Sequence, residues 1–246
     1  ILAENFPKGY GAFYCMKYRV SRAEYAGFMN TLTPKQADRH YHPRIVIRSG
    51  KAPNYTYAAH KWTGRYKNGA LGLSWADGAA FAAWAGLRPM TELELEKAVR
   101  GPRNPKPDEV LASYWNVQGF ADNPWHAMKM EKQTERVVTV GNATGRRFKG
   151  THGRGTLTLP DDWPQEDAIG AGMRVSWWGF HRINHKELAR TRMSDPPIYD
   201  PMSEDGWWEL PRTRLSDRLY ADLVDPKRRP LHQWRGVRTA PSGVGP

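Results

Sequence analysis

Apolar residues fall at helical spacing in three short windows, and each window opens on a hydroxyl residue followed three positions later by an acid. In SRAEYAGFMNTL, Ser21 precedes Glu24, and Tyr25, Phe28, Met29 and Leu32 share a stripe. In SWADGAAFAAWAG, Ser74 precedes Asp77, and Gly86 stands where a helix would be capped. In TELELEKAVRG, Thr91 precedes Glu94, and Gly101 closes the window, with Leu93, Leu95 and Ala98 placed to face a core. A hydroxyl that accepts from an orphan backbone N–H, while an acid at the third helical position reaches back, is a local start signal, so the pattern predicts three short amphipathic helices. Partial alternation in AFYCMKYRV, and runs rich in β-branched and aromatic residues in ERVVTVG, GMRVSWW and WRGVRTA, predict strands. After Gly101 the Pro-rich turn GPRNPKPDE ends the helical periodicity, and glycine, proline and turn residues dominate from Asn142 onward. Short helices, short antiparallel strands and much irregular loop give an α+β class, in one domain spanning residues 1–246.

Composition narrows the picture. With 39% hydrophobic residues and 11 tryptophans among 246 residues, the chain can bury enough apolar surface to offset the entropy of ordering it. No apolar run approaches the roughly 18–20 residues of a membrane helix. The sequence starts at Ile1 without a methionine or a leader, which reads as a processed or incomplete chain. Thirty-seven Lys and Arg against 25 Asp and Glu give a net charge of +12. That excess favours acidic partners, yet the cations are scattered and no nucleic-acid-binding motif accompanies them. A single cysteine, Cys15, excludes an intramolecular disulfide and any multi-thiolate metal site built from this chain alone; it sits in an apolar run, where an inert thiol is expected. No Gly-x-Ser-x-Gly occurs, and GTHGRG is a turn with no helix after it to cradle phosphate.

The stretch from Leu73 to Gly101, LSWADGAAFAAWAGLRPMTELELEKAVRG, resembles the sulfatase-modifying-factor, or formylglycine-generating-enzyme-like, domain family. That family shows Ser-Trp-x-Asp-Ala, then Trp-Ala-Gly-x-Arg, then Thr-Glu-x-Glu-x-Glu-x-Ala-x-Arg-Gly. The match runs through Ser74, Trp75, Asp77, Trp84, Ala85, Gly86, Arg88, Thr91, Glu92, Glu94, Glu96, Lys97, Ala98, Arg100 and Gly101. FYCMKYRVSRAEYAGFMN is similar to the family's opening strand and first helix, and WRGVRTAP, with RLSDR upstream, to its closing strand. The resemblance implies a C-type-lectin-like fold. FPKGYGAFYCMKY and the 73–101 stretch point within it to bacterial or phage surface members, a subclass that includes variable proteins diversified by retroelements.

Catalytic members of the family are copper-dependent oxidases that hold the metal with two thiolates five residues apart, just after a Gly-Gly-Ser-Trp strand. The corresponding positions here fall near Gly179 and Asn184, so the resemblance implies a member without that chemistry and without a cofactor. Where a Gly-Asn-x-Trp-Glu motif supplies calcium ligands, this chain has KQTER, with Lys132 in place of oxygen donors. HRINHKE, residues 181–187, matches the His-x-x-x-His-x-Glu that a distant branch, the ergothioneine sulfoxide synthases, uses to bind iron, although there in a separate helical domain. On a helix His181 and His185 would share a face and Glu187 would turn away, so a packing or surface role competes with a metal site at His181, His185 and Glu187.

Residues 179–213 form an apparent loop insertion, within which residues 179–206 are flanked by the pairs Trp177–Trp178 and Trp207–Trp208. Adjacent strand residues face opposite sides, so one ring of each pair can point outward toward a sugar face or a protein partner. Trp178, Phe180, His181, His185, Tyr199, Trp207 and Trp208 are therefore the candidate ligand-binding residues. Arg174, Asp217, Arg218, Arg235 and Arg238 are read as members of buried Arg–carboxylate ties. The reading is a non-catalytic binding or assembly module that displays a long C-terminal recognition loop to a protein or glycan ligand of acidic character, as a homo-oligomer or in a larger assembly. An extracellular, cell-surface or virion setting is expected. The competing readings are a metal-dependent oxidoreductase rebuilt on His181, His185 and Glu187, and a structural subunit of a surface or virion assembly.

Overall fold

The computed structural model of the chain describes residues 4–61, 69–70, 72–105, 114–117, 136–140, 147–175, 198–199, 208–209, 226–228 and 232–242. All three predicted helices form. Helix α1 (Arg22–Met29) is capped by Ser21, whose N–H donates to Glu24 Oε2 at 2.7 Å while its Oγ accepts from Glu24 N at 3.1 Å. Helix α3 (Trp75–Trp84) repeats the device with Ser74 and Asp77, and helix α4 (Glu92–Arg100) with Thr91 and Glu94. The end of α3 differs from expectation by one residue. Ala85 is the cap, and Gly86 follows it at φ +67°, so that Gly86 N donates to Ala83 O and Leu87 N to Ala82 O. This pair of bonds satisfies two orphan carbonyls and needs the left-handed residue that glycine supplies at little cost.

A fourth helix, α2 (Pro34–His40), follows α1. Its start signal is Pro34 at the first position and Gln36, whose side chain accepts from Thr33 N at 3.0 Å. The strands are short. Strand β1 (Phe13–Cys15) pairs antiparallel with β10 (Gly236–Thr239), which pairs with β4 (Arg88–Pro89). Strands β2 (Val46–Lys51) and β3 (Asn54–Ala59) make a hairpin that the sequence pattern did not announce. Strand β5 (Arg136–Val140) lies between β6 (Ala171–Val175), antiparallel, and β9 (His232–Gln233), parallel. Strands β7 (Ile198–Tyr199) and β8 (Trp208–Glu209) pair with each other. The result is α+β, as expected. WRGVRTA forms one strand, β10, over its last part; β9, just upstream of it, belongs to a different sheet, and Trp234 and Arg235 between the two strands are buried.

The main core forms where α1 crosses α3. Phe28 stands at its centre, with ring centroids 5.4 Å from Tyr25 and Trp84 and 5.8 Å from Phe81. Helix α3 is buried from Gly78 to Ala83, which explains why its sequence is apolar on every side rather than on one stripe. Its small residues admit close neighbours. A Cβ at Gly78 would lie 2.0 Å from the Trp234 ring, which itself packs 5.0 Å from the Trp75 ring. A second cluster, Met90, Leu95, Ala98, Val99, Val117 and Val237, fills the space under α4, with Phe13 and Cys15 against it.

Candidate functional site

The acids of TELELE alternate along α4, and helical geometry sends them to two faces. At roughly 100° per residue, Glu92 and Glu96 fall on one side and Glu94 nearly opposite. Arg174 on β6 takes the first side, donating to Glu92 Oε2 at 3.1 Å and to Glu96 Oε1 at 2.9 Å. Arg100 adds a 2.9 Å bond to Glu96 Oε2. Arg88 takes the other side as a fork onto Glu94, at 2.8 and 2.5 Å, and its Nε donates to Thr239 Oγ1 at 3.1 Å. Both partners are essentially inaccessible, with side chains 1% and 2% exposed. Glu94 also accepts from Thr91 N at 3.0 Å, and Thr91 Oγ1 donates to Pro7 O at 2.8 Å. One helix is thereby bonded to β4, β6, β10 and the N-terminal segment.

Asp77 anchors a second network. It accepts from Ser74 N at 3.1 Å and Ser74 Oγ at 2.8 Å, contacts His40 Nδ1 at 3.1 Å, and accepts from Arg228 Nε at 2.7 Å and Nη2 at 2.9 Å. Arg228 continues to the carbonyls of Tyr41 and Arg39, at 2.9 and 3.0 Å, and Tyr25 Oη donates to the carbonyl of His40 at 2.9 Å. Burial opposes ionisation of Asp77, but hydrogen bonds from Arg228 and His40 and the Arg228 charge outweigh it and hold the carboxyl well below the usual carboxylate range. Ser74 donates to the carboxylate that caps its own helix, so this Ser, His and Asp are a structural tie rather than a nucleophile relay.

The C-terminal arginines divide. Arg174 is in a buried carboxylate tie, as expected. Arg235 is buried but donates to the backbone carbonyls of Met16 and Lys17, at 3.0 and 2.9 Å, and Arg238 is exposed on β10. Asp217 and Arg218 lie outside the described residues.

Cys15 is half-buried beside Arg235. Burial pushes its thiol up to about 11, the Arg235 charge only partly opposing, so the neutral form holds near pH 7. A lone, protonated thiol does not fit the two-thiolate copper centre that the resemblance brings to mind. Among the described residues, no group of three or more His, Cys, Asp and Glu could hold a metal ion. Trp178, Phe180, His181, His185, Glu187, Trp207 and Lys132 lie outside the described residues. Tyr199 and Trp208 are the two candidates that the structure brings together: they are register partners in the β7–β8 ladder, directly opposite one another, with Ile198 opposite Glu209. No described helix is long and apolar enough to cross a membrane.

Comparison with known proteins gives one positive result. The sulfatase-modifying factor enzyme 1-like domain matches residues 9–150, more than half of the chain, and this span contains α1 to α4 with Asp77, Arg88 and Glu94, while Arg228 and Thr239, which bond to Asp77 and Arg88, lie beyond it. No curated protein and no solved structure matches. Since the residues that carry the family's signature are those that tie α3 and α4 into the fold, the chain belongs to the sulfatase-modifying factor enzyme 1-like domain family.

Proposed function

We propose that this protein is a non-catalytic binding or assembly module on a C-type-lectin-like scaffold, presenting residues 179–213 as its recognition segment. The observation that carries the reading is that the polar signature residues bond to one another or to backbone. Ser74 and Asp77, Arg88 and Glu94, and Glu92 and Glu96 with Arg174 are held inside the fold. Spent in this way, they build a frame and leave recognition to what the frame displays. The pairing of Tyr199 with Trp208 supports it, since a β-hairpin within 179–213 would present that segment as an ordered projection. The lone, raised Cys15 thiol gives no support to thiolate-based oxidase chemistry. The basic excess favours an acidic protein or glycan partner, and the resemblance to surface-type members of the family is the ground for an extracellular, cell-surface or virion setting.

Two measurements test this. The protein is loaded with Cu(I) and given a thiol-containing peptide and dioxygen; the expected oxygen uptake equals that of free copper, and sustained turnover overturns the non-catalytic reading. A glycan and protein array is then probed with wild type and with a variant in which residues 200–207 are replaced by a Gly-Ser linker. The expected result is unchanged circular dichroism with loss of the array signal. Retention of every signal removes residues 179–213 as the recognition segment.

A further inference from the structure

Residues 147–163 contain no strand, yet they are firmly placed. Lys149 N donates to Asp162 Oδ2 at 2.8 Å and Trp163 Nε1 to Thr151 O at 2.8 Å, which closes the segment on itself. Gly153 N donates to Leu87 O at 2.7 Å and Gly155 N to Ala83 O at 3.0 Å, which staples it to the end of α3. Thr239 N donates to His152 Nε2 at 3.0 Å, which fixes it to β10. The approach to α3 needs glycine, because a Cβ at Gly153 would lie 2.4 Å from Ala83 Cα. Between these pins the segment borders a cleft of about 880 Å³ that is open to solvent and lined mostly by exposed side chains. A wall already fixed by hydrogen bonds loses little entropy on binding, and an open cleft of this breadth admits a chain-like ligand that stays partly in solvent.

The chemistry of the lining selects a ligand class. Arg147, Lys149 and Arg154 border the cleft, and none of the three forms an ion pair among the described residues. Thr151, Thr156 and Thr158 add hydroxyls, Asp161 and Asp162 add carboxylates, and Leu159 and Pro160 an apolar surface. Unpaired cations call for anionic groups on the ligand. Carboxylates beside them would repel a bare anion but accept from hydroxyl donors, so the ligand must carry both kinds of group. The described lining has no aromatic ring on which a base could stack, which disfavours nucleotides and single-stranded nucleic acid. It has no strand edge to which a peptide could add.

We propose that this cleft is a binding site for an acidic saccharide, a sugar chain bearing sulfate, phosphate or carboxylate groups. The anionic groups would meet Arg147, Lys149 and Arg154, and the sugar hydroxyls would meet the threonines and Asp161. The site shares no residue with 179–213 and stands whether or not that segment recognises anything.

The test is isothermal titration with a sulfated uronic-acid-containing tetrasaccharide at physiological salt, beside neutral maltotetraose, poly-glutamate and inorganic sulfate. Wild type should bind the sulfated tetrasaccharide and not the other three. Arg147→Ser with Arg154→Ser should weaken binding by about tenfold or more, since it removes two of the three cations that border the cleft. Both residues are exposed, so the fold tolerates the change. Lys35→Ser with Lys51→Ser removes the same charge from exposed positions outside the cleft and should leave the constant within about twofold. An equal loss in this control would mean attraction to net charge alone and would overturn the site. So would equal affinity for poly-glutamate or inorganic sulfate, or no binding. Replacing 200–207 by a linker should leave the titration unchanged, so failure here and failure of the recognition-segment reading are separate results.

Discussion

Breaking the Arg88–Glu94 fork tests whether the family's signature is a frame. Arg88→Met leaves a carboxylate that is 2% exposed with its hydrogen bond from Thr91 N but without the cation that neutralises it, and removes the tie to Thr239. Removing one partner of a buried pair costs about 3–5 kcal/mol, chiefly through the uncompensated charge left behind. At about 2–4 °C per kcal/mol for a chain of this size, the melting temperature should fall by roughly 6–20 °C. Glu94→Gln should cost a similar amount by stranding the guanidinium, although its amide oxygen can still accept from Thr91 N. The double variant carries no unpaired charge, so its cost should fall short of the sum of the singles by about 2–3 kcal/mol, near the upper end of coupling energies between contacting residues. Urea unfolding of all four proteins, followed by circular dichroism, measures the cycle. Single-variant costs below about 1 kcal/mol, or a double variant additive to within about 0.5 kcal/mol, would refute the argument.

Three further outcomes follow from the packing. Gly78→Ala should destabilise by about 1–3 kcal/mol, because the new Cβ would lie 2.0 Å from the Trp234 ring; helix propensity alone predicts the opposite sign, so a stabilised variant would show that the contact is absent. Asp77 has a folded pKa held below its unfolded value near 3.9, so its contribution is complete above about pH 4 and is lost as pH falls through the lower folded value. Arg228→Ala lets burial raise that pKa, which should move the acid-unfolding midpoint to higher pH in near-ultraviolet dichroism; an unmoved midpoint would count against the pair. At pH 8 the Cys15 thiol, pushed up to about 11, should alkylate with iodoacetamide roughly two orders of magnitude more slowly in the folded protein than in urea, and similar rates would contradict its burial.

The parts of this protein legible in its sequence are those written within one helical turn. Ser21 with Glu24, Ser74 with Asp77 and Thr91 with Glu94 fixed three helix starts because a capping box closes over three residues. The same kind of signal at Thr33, Pro34 and Gln36 marks α2, but the helix has seven residues and little apolar periodicity to confirm it. The β2–β3 hairpin escaped because its first strand runs Val-Ile-Arg-Ser-Gly-Lys, where alternation gives way to polar residues. Of the candidate binding residues, aromatic pairing and insertion length pointed to the segment that holds Tyr199 and Trp208, but spacing alone could not say that these two are register partners.

The sequence by itself determined the family, the helix starts and the lack of a second thiolate, since each is a matter of residue identity at short range. Tertiary structure alone decided which partners the acids of TELELE take, because Arg174 lies 82 and 78 residues from Glu92 and Glu96. It also put β9 and β10 in different sheets although only two residues separate them, since Trp234 lies beside Gly78 and Arg235 reaches the carbonyls of Met16 and Lys17. It turned GTHGRG, which reads in the sequence as a turn with no helix after it, into part of the wall of a cleft. The physical reason is one of range: a hydrogen bond closed within four residues leaves its pattern in the chain, whereas a buried charge or an indole edge finds its partner only when distant segments pack.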